Sequence, residues 1–257
     1  MMREAQAVHD LFTPIAPTYR VANRALTFGL DGYWRWRAAR RALRGDPASA
    51  LDVCAGTGEM AGCLRRFGRG RVAVTAVDFC EAMLDEARRR SGADAITFLL
   101  ADASRLPFPN ESFDVTTISF ALRNLNVTAD RFAVCLRECL RVLRPGGRLI
   151  TVETTQPPRA LVRWVLRRFL GIVVPRLGAW LSGSRPAYAY LSGTISRFHG
   201  APQLAAILRD IGFGRVNYRY LTFGLVAIHQ AVKPAARENR ERMRIDANGE
   251  HDERSFA

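Results

Sequence analysis

The sequence predicts an α/β protein built on a doubly wound, mostly parallel sheet of seven strands, with N-terminal helices and a helical insertion late in the chain. Three observations predict it. Short apolar runs, "ALDVC", "VAVTAVD", "ITFLLAD", "FDVTTISF" and "RLITVE", alternate with helical stretches, and strands apolar on both sides belong to a sheet covered on both faces. A glycine-containing loop, "CAGTGE", follows the first run and leads straight into a helical pattern. The chain has 257 residues, of which 48% are hydrophobic, enough to bury one sizeable core.

Taken in order, residues 1–45 are helical and aromatic, with "YWRWRAARRALRG" forming a helix closed by Gly45. The main domain spans 46–233, its early strands separated by helices over Glu59 to Arg66, Glu81 to Arg90 and Ala129 to Leu143. An insertion occupies 156–200. After Gly200 comes a helix, "PQLAAILRDIGF", and then two late strands, "RVNYRYLTF" and "LVAIHQAV", expected to complete the sheet edge as an antiparallel hairpin joined near Gly224. Residues 234–257 mix both charges without an apolar stripe and read as a disordered tail.

The formal charge of +14 invites a nucleic-acid reading, but Lys233 is the single lysine, so the excess is nearly all arginine, as a composition-wide bias would give. Distribution says more than the total. No acidic residue lies between Glu153 and Asp210, where Arg159, Arg163, Arg167, Arg168, Arg176, Arg185, Arg197 and Arg209 all fall. In "RALVRWVLRRFLGIVVPRLGAWL", Arg159, Arg163 and Arg167 share one helical side while Leu161, Val162, Val165, Leu166 and Phe169 gather on another. Together with Trp164 and Trp180, that pattern fits a helix lying on anionic lipid, or an ordinary surface helix against the core. No apolar run of about twenty residues lacks charge, and "MMREAQAVHD" has no signal-peptide core, so a cytoplasmic protein, peripheral on the membrane face, is expected. Cys54, Cys63, Cys80, Cys135 and Cys139 show no C-x-x-C spacing and read as reduced, without a metal site.

The chemistry is expected at the carboxyl ends of the first strands. Gly56 and Gly58 let the backbone turn and approach a nucleoside-type cofactor, and Asp78 stands where an acid accepts ribose hydroxyls. That much also fits a dinucleotide. Asp52, however, suits a cationic amino-acid head group that a pyrophosphate would repel, and Asp102 with Ala103 suits an adenine amine and ring. An acid at three successive strand ends points to S-adenosylmethionine rather than a nicotinamide.

Several segments carry a resemblance. "LDVCAGTGE", "AVDFCEAML", "ADASRLPFPNESFD", "TTISFALRNL" and "ECLRVLRPGGRLITVE" resemble the successive motifs of class I methyltransferases, and specifically of the ubiquinone/menaquinone biosynthesis C-methyltransferases. "YRVANRALTFGLDGYWRW", "AYAYLSGTISRF" and "LTFGLVAIHQAVK" are similar to that family's substrate-side segments, so the likeness runs from about Leu11 to Lys233. The chain departs from the family at Arg20, at Asp31 and Gly32 where a His-Arg pair is usual, and at Ser196. The resemblance implies a Rossmann-like fold and cofactor contacts at Thr57, Asp78, Asp102, Ala103 and Ser119. It also implies methyl transfer to a ring carbon of a prenylated quinol, with a homodimer left open. Arg123, beside Asn124 at the end of a central strand, would favour a phenolate, unless it caps the next helix or pairs with Asp130; His229 or water would take the proton. Tyr19, Trp34, Tyr188 and Tyr190 are candidates to line the substrate cavity. A methyltransferase for an unrelated aromatic substrate, and a non-catalytic membrane-associated scaffold, are the competing readings.

Overall fold

Residues 8–90 and 92–235 are described by the computed structural model. A helical turn at 8–12 leads into α1 (Ala16–Leu26), started by Pro17 in its first turn, and α2 (Leu30–Ala42), which ends shortly before Gly45. Strands and helices then alternate: β1 (Ser49–Val53), α3 (Glu59–Phe67), β2 (Ala73–Asp78), α4 (Glu81–Arg88), β3 (Ile96–Leu100) and β4 (Phe113–Ser119). The short α5 (Leu122–Leu125) precedes α6 (Ala129–Val142), whose N-cap Thr128 accepts the Arg131 amide at 3.2 Å, and then β5 (Leu143–Thr154).

The insertion folds as α7 (Ala160–Arg168), a π turn (Phe169–Val173), α8 (Val174–Ser182) and α9 (Arg185–Arg197). The stretch read as one helix is thus interrupted, and Pro175 supplies a reason: it has no amide to donate to the carbonyl of Gly171, so the turn before it widens. α10 (Ala201–Asp210), β6 (Val216–Leu221), a 3-10 turn (Thr222–Gly224) and β7 (Val226–Val232) complete the domain. The expected charged tail lies, from 236 on, outside the described residues.

The sheet has seven strands in the order β3-β2-β1-β4-β5-β7-β6. Strands β1 to β5 pair in parallel, and β7 runs antiparallel to both β5 and β6, which gives the edge hairpin read from the sequence. Alternation along each strand sends side chains to opposite faces. Leu51, Val53, Ile118 and Leu149 pack against α6 and α10, whereas Ala50, Val115, Ile150 and Val152 pack against α2 and α3. A third cluster joins segments far apart in the chain: Ile15, Ala22 and Leu26 of the N-terminal region meet Val174, Tyr188, Leu191 and Ile195 of the insertion. Tyr188 sits directly on Gly178, where a Cβ would stand 2.2 Å from the ring. Because β1 has β2 on one side and β4 on the other, the chain reverses direction of winding there, and a crevice opens beyond their carboxyl ends.

Candidate active site

The crevice encloses about 880 Å³ including its mouth, and is lined by Gly56, Thr57, Asp78, Asp102, Ala103 and Ser119, with Tyr19 and Asn124 at its sides. The first of its acids, Asp78, is buried; its Oδ2 accepts the Gly56 amide at 2.8 Å and its Oδ1 the Cys80 amide at 2.9 Å. Burial pushes its carboxyl above the ordinary range, against the pull of those two amides. Asp102 behaves oppositely. Burial would raise it, but the Ser104 amide at 2.8 Å and Arg131, whose Nη2 lies 3.0 and 3.1 Å from the two carboxylate oxygens, hold it below the usual value. Gly56, at φ +55°, has open space where a Cβ would stand, so the loop leaves room for a ligand. Asn124 Oδ1 is buried without a partner among the described residues and calls for a donor. Acceptors along the wall, an open glycine and an unsatisfied amide oxygen fit an adenosyl group carrying an amino acid.

Beside the crevice lies a larger and mostly apolar cavity of about 1570 Å³ including its mouth. Tyr19, Arg35 and Phe120 line both, so they form the partition between them. Phe120 stands at the end of β4 with φ +56°, and Cys54 at the end of β1 also has φ +56°; two left-handed non-glycine residues at adjacent strand ends mark a strained rim. Trp34 lines the apolar cavity and donates from Nε1 to Thr222 Oγ1 at 2.8 Å. Arg123 lines it too. Its Nη1 donates to Glu153 Oε1 at 2.6 Å, not to Asp130, and its Nε is buried without a partner among the described residues.

Several predicted residues stand elsewhere. Asp52 is fully buried one residue short of the end of β1, on the face it shares with Ala50, and accepts Thr117 Oγ1 at 2.6 Å and the Ala61 amide at 3.0 Å. The two-residue period turns it under α3 and away from the crevice, and burial raises its pKa to about 7. Gly58 is a packing glycine: a Cβ there would meet Ala87 Cβ at 2.9 Å, so its absence lets α3 begin close to α4. His229 pairs in register with Thr151, which is level with Ile118 near the end of β4, but its Nε2 contacts the Ala201 carbonyl of α10 at 2.9 Å. It lies outside both cavities, and burial lowers its pKa to about 4. Tyr188 is locked between α8 and α9, and Tyr190, half-buried near the charge of Arg123, lines neither cavity. Asn124 borders the crevice, not the apolar cavity assigned to substrate.

The sequence reading missed Arg35, Glu59, Phe79 and Arg131, all of which line the crevice. Glu59, immediately after the glycine loop, could have been found from that position; Arg131 and Arg35 come from helices whose docking only the fold sets.

The profile of the ubiE/COQ5 methyltransferase family matches residues 1–233. The chain is 41% identical over 227 residues to the demethylmenaquinone methyltransferase of Deinococcus radiodurans, covering 88% of this chain and 92% of that one. It is 37% identical over 240 residues to the ubiquinone/menaquinone biosynthesis C-methyltransferase UbiE of Paracoccus denitrificans, covering 90% and 92% respectively. In fold it resembles human N-acetylserotonin methyltransferase in complex with SAM, with a TM-score of 0.56 and 17% identity over 84% of this chain and 58% of that one.

Proposed function

The chain belongs to the ubiE/COQ5 methyltransferase family, and we propose from that premise that it methylates a ring carbon of a prenylated quinol, a demethylmenaquinol or a ubiquinol precursor, in respiratory quinone biosynthesis. It is an S-adenosylmethionine-dependent methyltransferase. The observation that supports the quinol reading is the juxtaposition of a polar crevice with a larger apolar cavity across the shared wall of Tyr19, Arg35 and Phe120. A prenylated ring has a polar head and a long apolar tail, and the second cavity offers apolar walls from Leu161, Val165, Leu166 and Phe169 for that tail.

Bound S-adenosylmethionine supplies an electron-poor methyl group on sulfur. The acceptor carbon must therefore be electron-rich, which a quinol is and an oxidised quinone is not. Arg123 borders the cavity, but its pairing with Glu153 cancels much of its charge at a distance, so its contribution is the Nε–H, which has no partner among the described residues and can donate to a quinol oxygen. That bond favours the phenolate. His229 lies outside the cavities, which leaves solvent to accept the phenolic proton.

The mouth of the apolar cavity suggests where the substrate enters. Phe28, Leu161 and Phe223 line it yet remain 84%, 73% and 74% exposed, with Trp164 and Trp180 exposed nearby among the arginines of the acid-free segment. Among the described residues no helix is long and apolar enough to cross a membrane. We read this rim as a peripheral contact with anionic lipid at the cytoplasmic face, through which the tail passes.

The test is methylation in vitro. Purified protein, S-adenosylmethionine and reduced demethylmenaquinone or demethylated ubiquinol precursor should yield a quinone heavier by one methylene in mass spectrometry, and the oxidised substrate without reductant should not. Binding of S-adenosylhomocysteine without methylation of either quinol would favour an unrelated aromatic substrate.

A further inference from the structure

With Asp52 turned under α3, the charged head of the methionine arm lacks the partner the sequence suggested. The structure offers a different one. Arg35, from α2, reaches the crevice wall alongside Gly56, Thr57 and Glu59. Its side chain is buried; Nη1 donates to Asp31 Oδ2 at 2.6 Å, and the guanidinium lies 5.0 Å from the centre of the Phe120 ring. Its Nε is buried and has no partner among the described residues. A guanidinium has only donors, so the open position calls for an acceptor, and a fork already held by one carboxylate is preorganised for a second. Glu59 supplies carboxylate oxygens at the same end of the crevice, held in place by the Arg90 guanidinium and by the Thr57 hydroxyl at 2.7 Å; its charge and that of Arg35 both reach Asp52 and Cys63 across the start of α3.

We propose that Arg35 anchors the α-carboxylate of the methionine moiety of S-adenosylmethionine, with Asp31 as the positioning residue that holds the guanidinium in place. The ligand's carboxylate then meets the guanidinium donors that Asp31 orients, and its ammonium the Glu59 oxygens that Arg90 and Thr57 orient, a two-point match that a neutral quinol oxygen, the other acceptor within reach of this partition, does not make. Because Phe120 and Arg35 border both cavities, seating the carboxylate there fixes the arm that carries the methyl at the boundary with the substrate space.

Binding calorimetry with three probes tests this without turnover: S-adenosylhomocysteine, its decarboxylated analogue, and 5′-methylthioadenosine, which lacks the whole amino-acid arm. Wild-type protein should bind the decarboxylated analogue about ten- to a hundredfold more weakly than S-adenosylhomocysteine. In Arg35→Gln combined with Asp31→Asn, which avoids stranding a buried carboxylate, that discrimination should disappear while 5′-methylthioadenosine binds as in wild type. Arg35→Lys should retain part of it. Equal losses for all three probes would mean a structural role, and undiminished discrimination in the double variant would mean that the carboxylate is held elsewhere; either result overturns the assignment.

Discussion

Replacing the buried Asp52 by asparagine should remove a pH dependence of stability that is written into the sheet. Asp52 is fully buried, and burial raises its pKa from 3.8 to about 7 despite the bonds from Thr117 and Ala61. Between those values the folded protein keeps a proton that the unfolded chain releases, so stability falls as pH rises through this window and levels off above the folded pKa. At about 1.4 kcal/mol per pH unit that difference corresponds to a few kcal/mol, more than half of it falling between about pH 5 and about pH 8. Asparagine imitates the protonated acid: its Oδ1 accepts from the Ala61 amide and its Nδ2 donates to Thr117 Oγ1. Urea unfolding of both proteins at about pH 5 and about pH 8 measures the difference, which should appear as a shift of about 1 M in the relative midpoints. Contributions from Asp78 and from the depressed pKa of His229 are common to both proteins and cancel in the comparison. Because Asp52 does not border the crevice, S-adenosylhomocysteine affinity should be retained. Stability profiles that run parallel across the pH range would refute the reasoning.

Asp78→Ala should weaken S-adenosylhomocysteine binding about ten- to a hundredfold by calorimetry, since it removes a ribose acceptor and frees the Gly56 and Cys80 amides; unchanged affinity would take Asp78 out of the site. Arg123→Gln alone strands buried Glu153 at a cost of about 3–5 kcal/mol, whereas pairing it with Glu153→Gln relieves most of that cost. The double variant should keep S-adenosylhomocysteine affinity and lose about a hundredfold in quinol turnover, and a wild-type rate would remove Arg123 from the chemistry. Arg163→Glu with Arg167→Glu should release the protein from anionic vesicles, each arginine near the surface contributing about 1 kcal/mol, and co-sedimentation independent of lipid charge would contradict the membrane contact. Gly178→Ala should lower the urea midpoint by overpacking the Tyr188 ring, at about 1–3 kcal/mol, without changing cofactor affinity.

Much of the architecture was legible because it is written in local patterns. Apolar runs of strand length, the glycine loop after the first of them, and helices such as α3 over Glu59–Phe67 and α6 over Ala129–Val142 follow from periodicity and turn chemistry within a few residues of each position. Strand ends carrying acids were legible for the same reason, and two of the three, Asp78 and Asp102, do border the crevice. Asp52 is the third. Its strand was read correctly, but which face a residue one step from the end presents depends on the sheet's layering, and that face belongs to α3. His229 shows the same effect: its register opposite Thr151 keeps it level with the end of β4, but the antiparallel hairpin sets β7 beyond β5, and its side chain meets the Ala201 carbonyl of α10 rather than the crevice. The partition of Tyr19, Arg35 and Phe120 draws on α1, α2 and the end of β4, and the wall of the apolar cavity adds α7 to α9, far along the chain from α1 and α2. The sequence by itself therefore determined the strands, the winding and the cofactor end of the site, since each depends on short-range pattern. The tertiary structure alone decided that Arg123 faces Glu153 across two strand ends, because a buried charge takes its partner from whatever packing brings within a hydrogen bond, whereas Arg35 and Asp31 stand four residues apart on one helix and pair by local spacing.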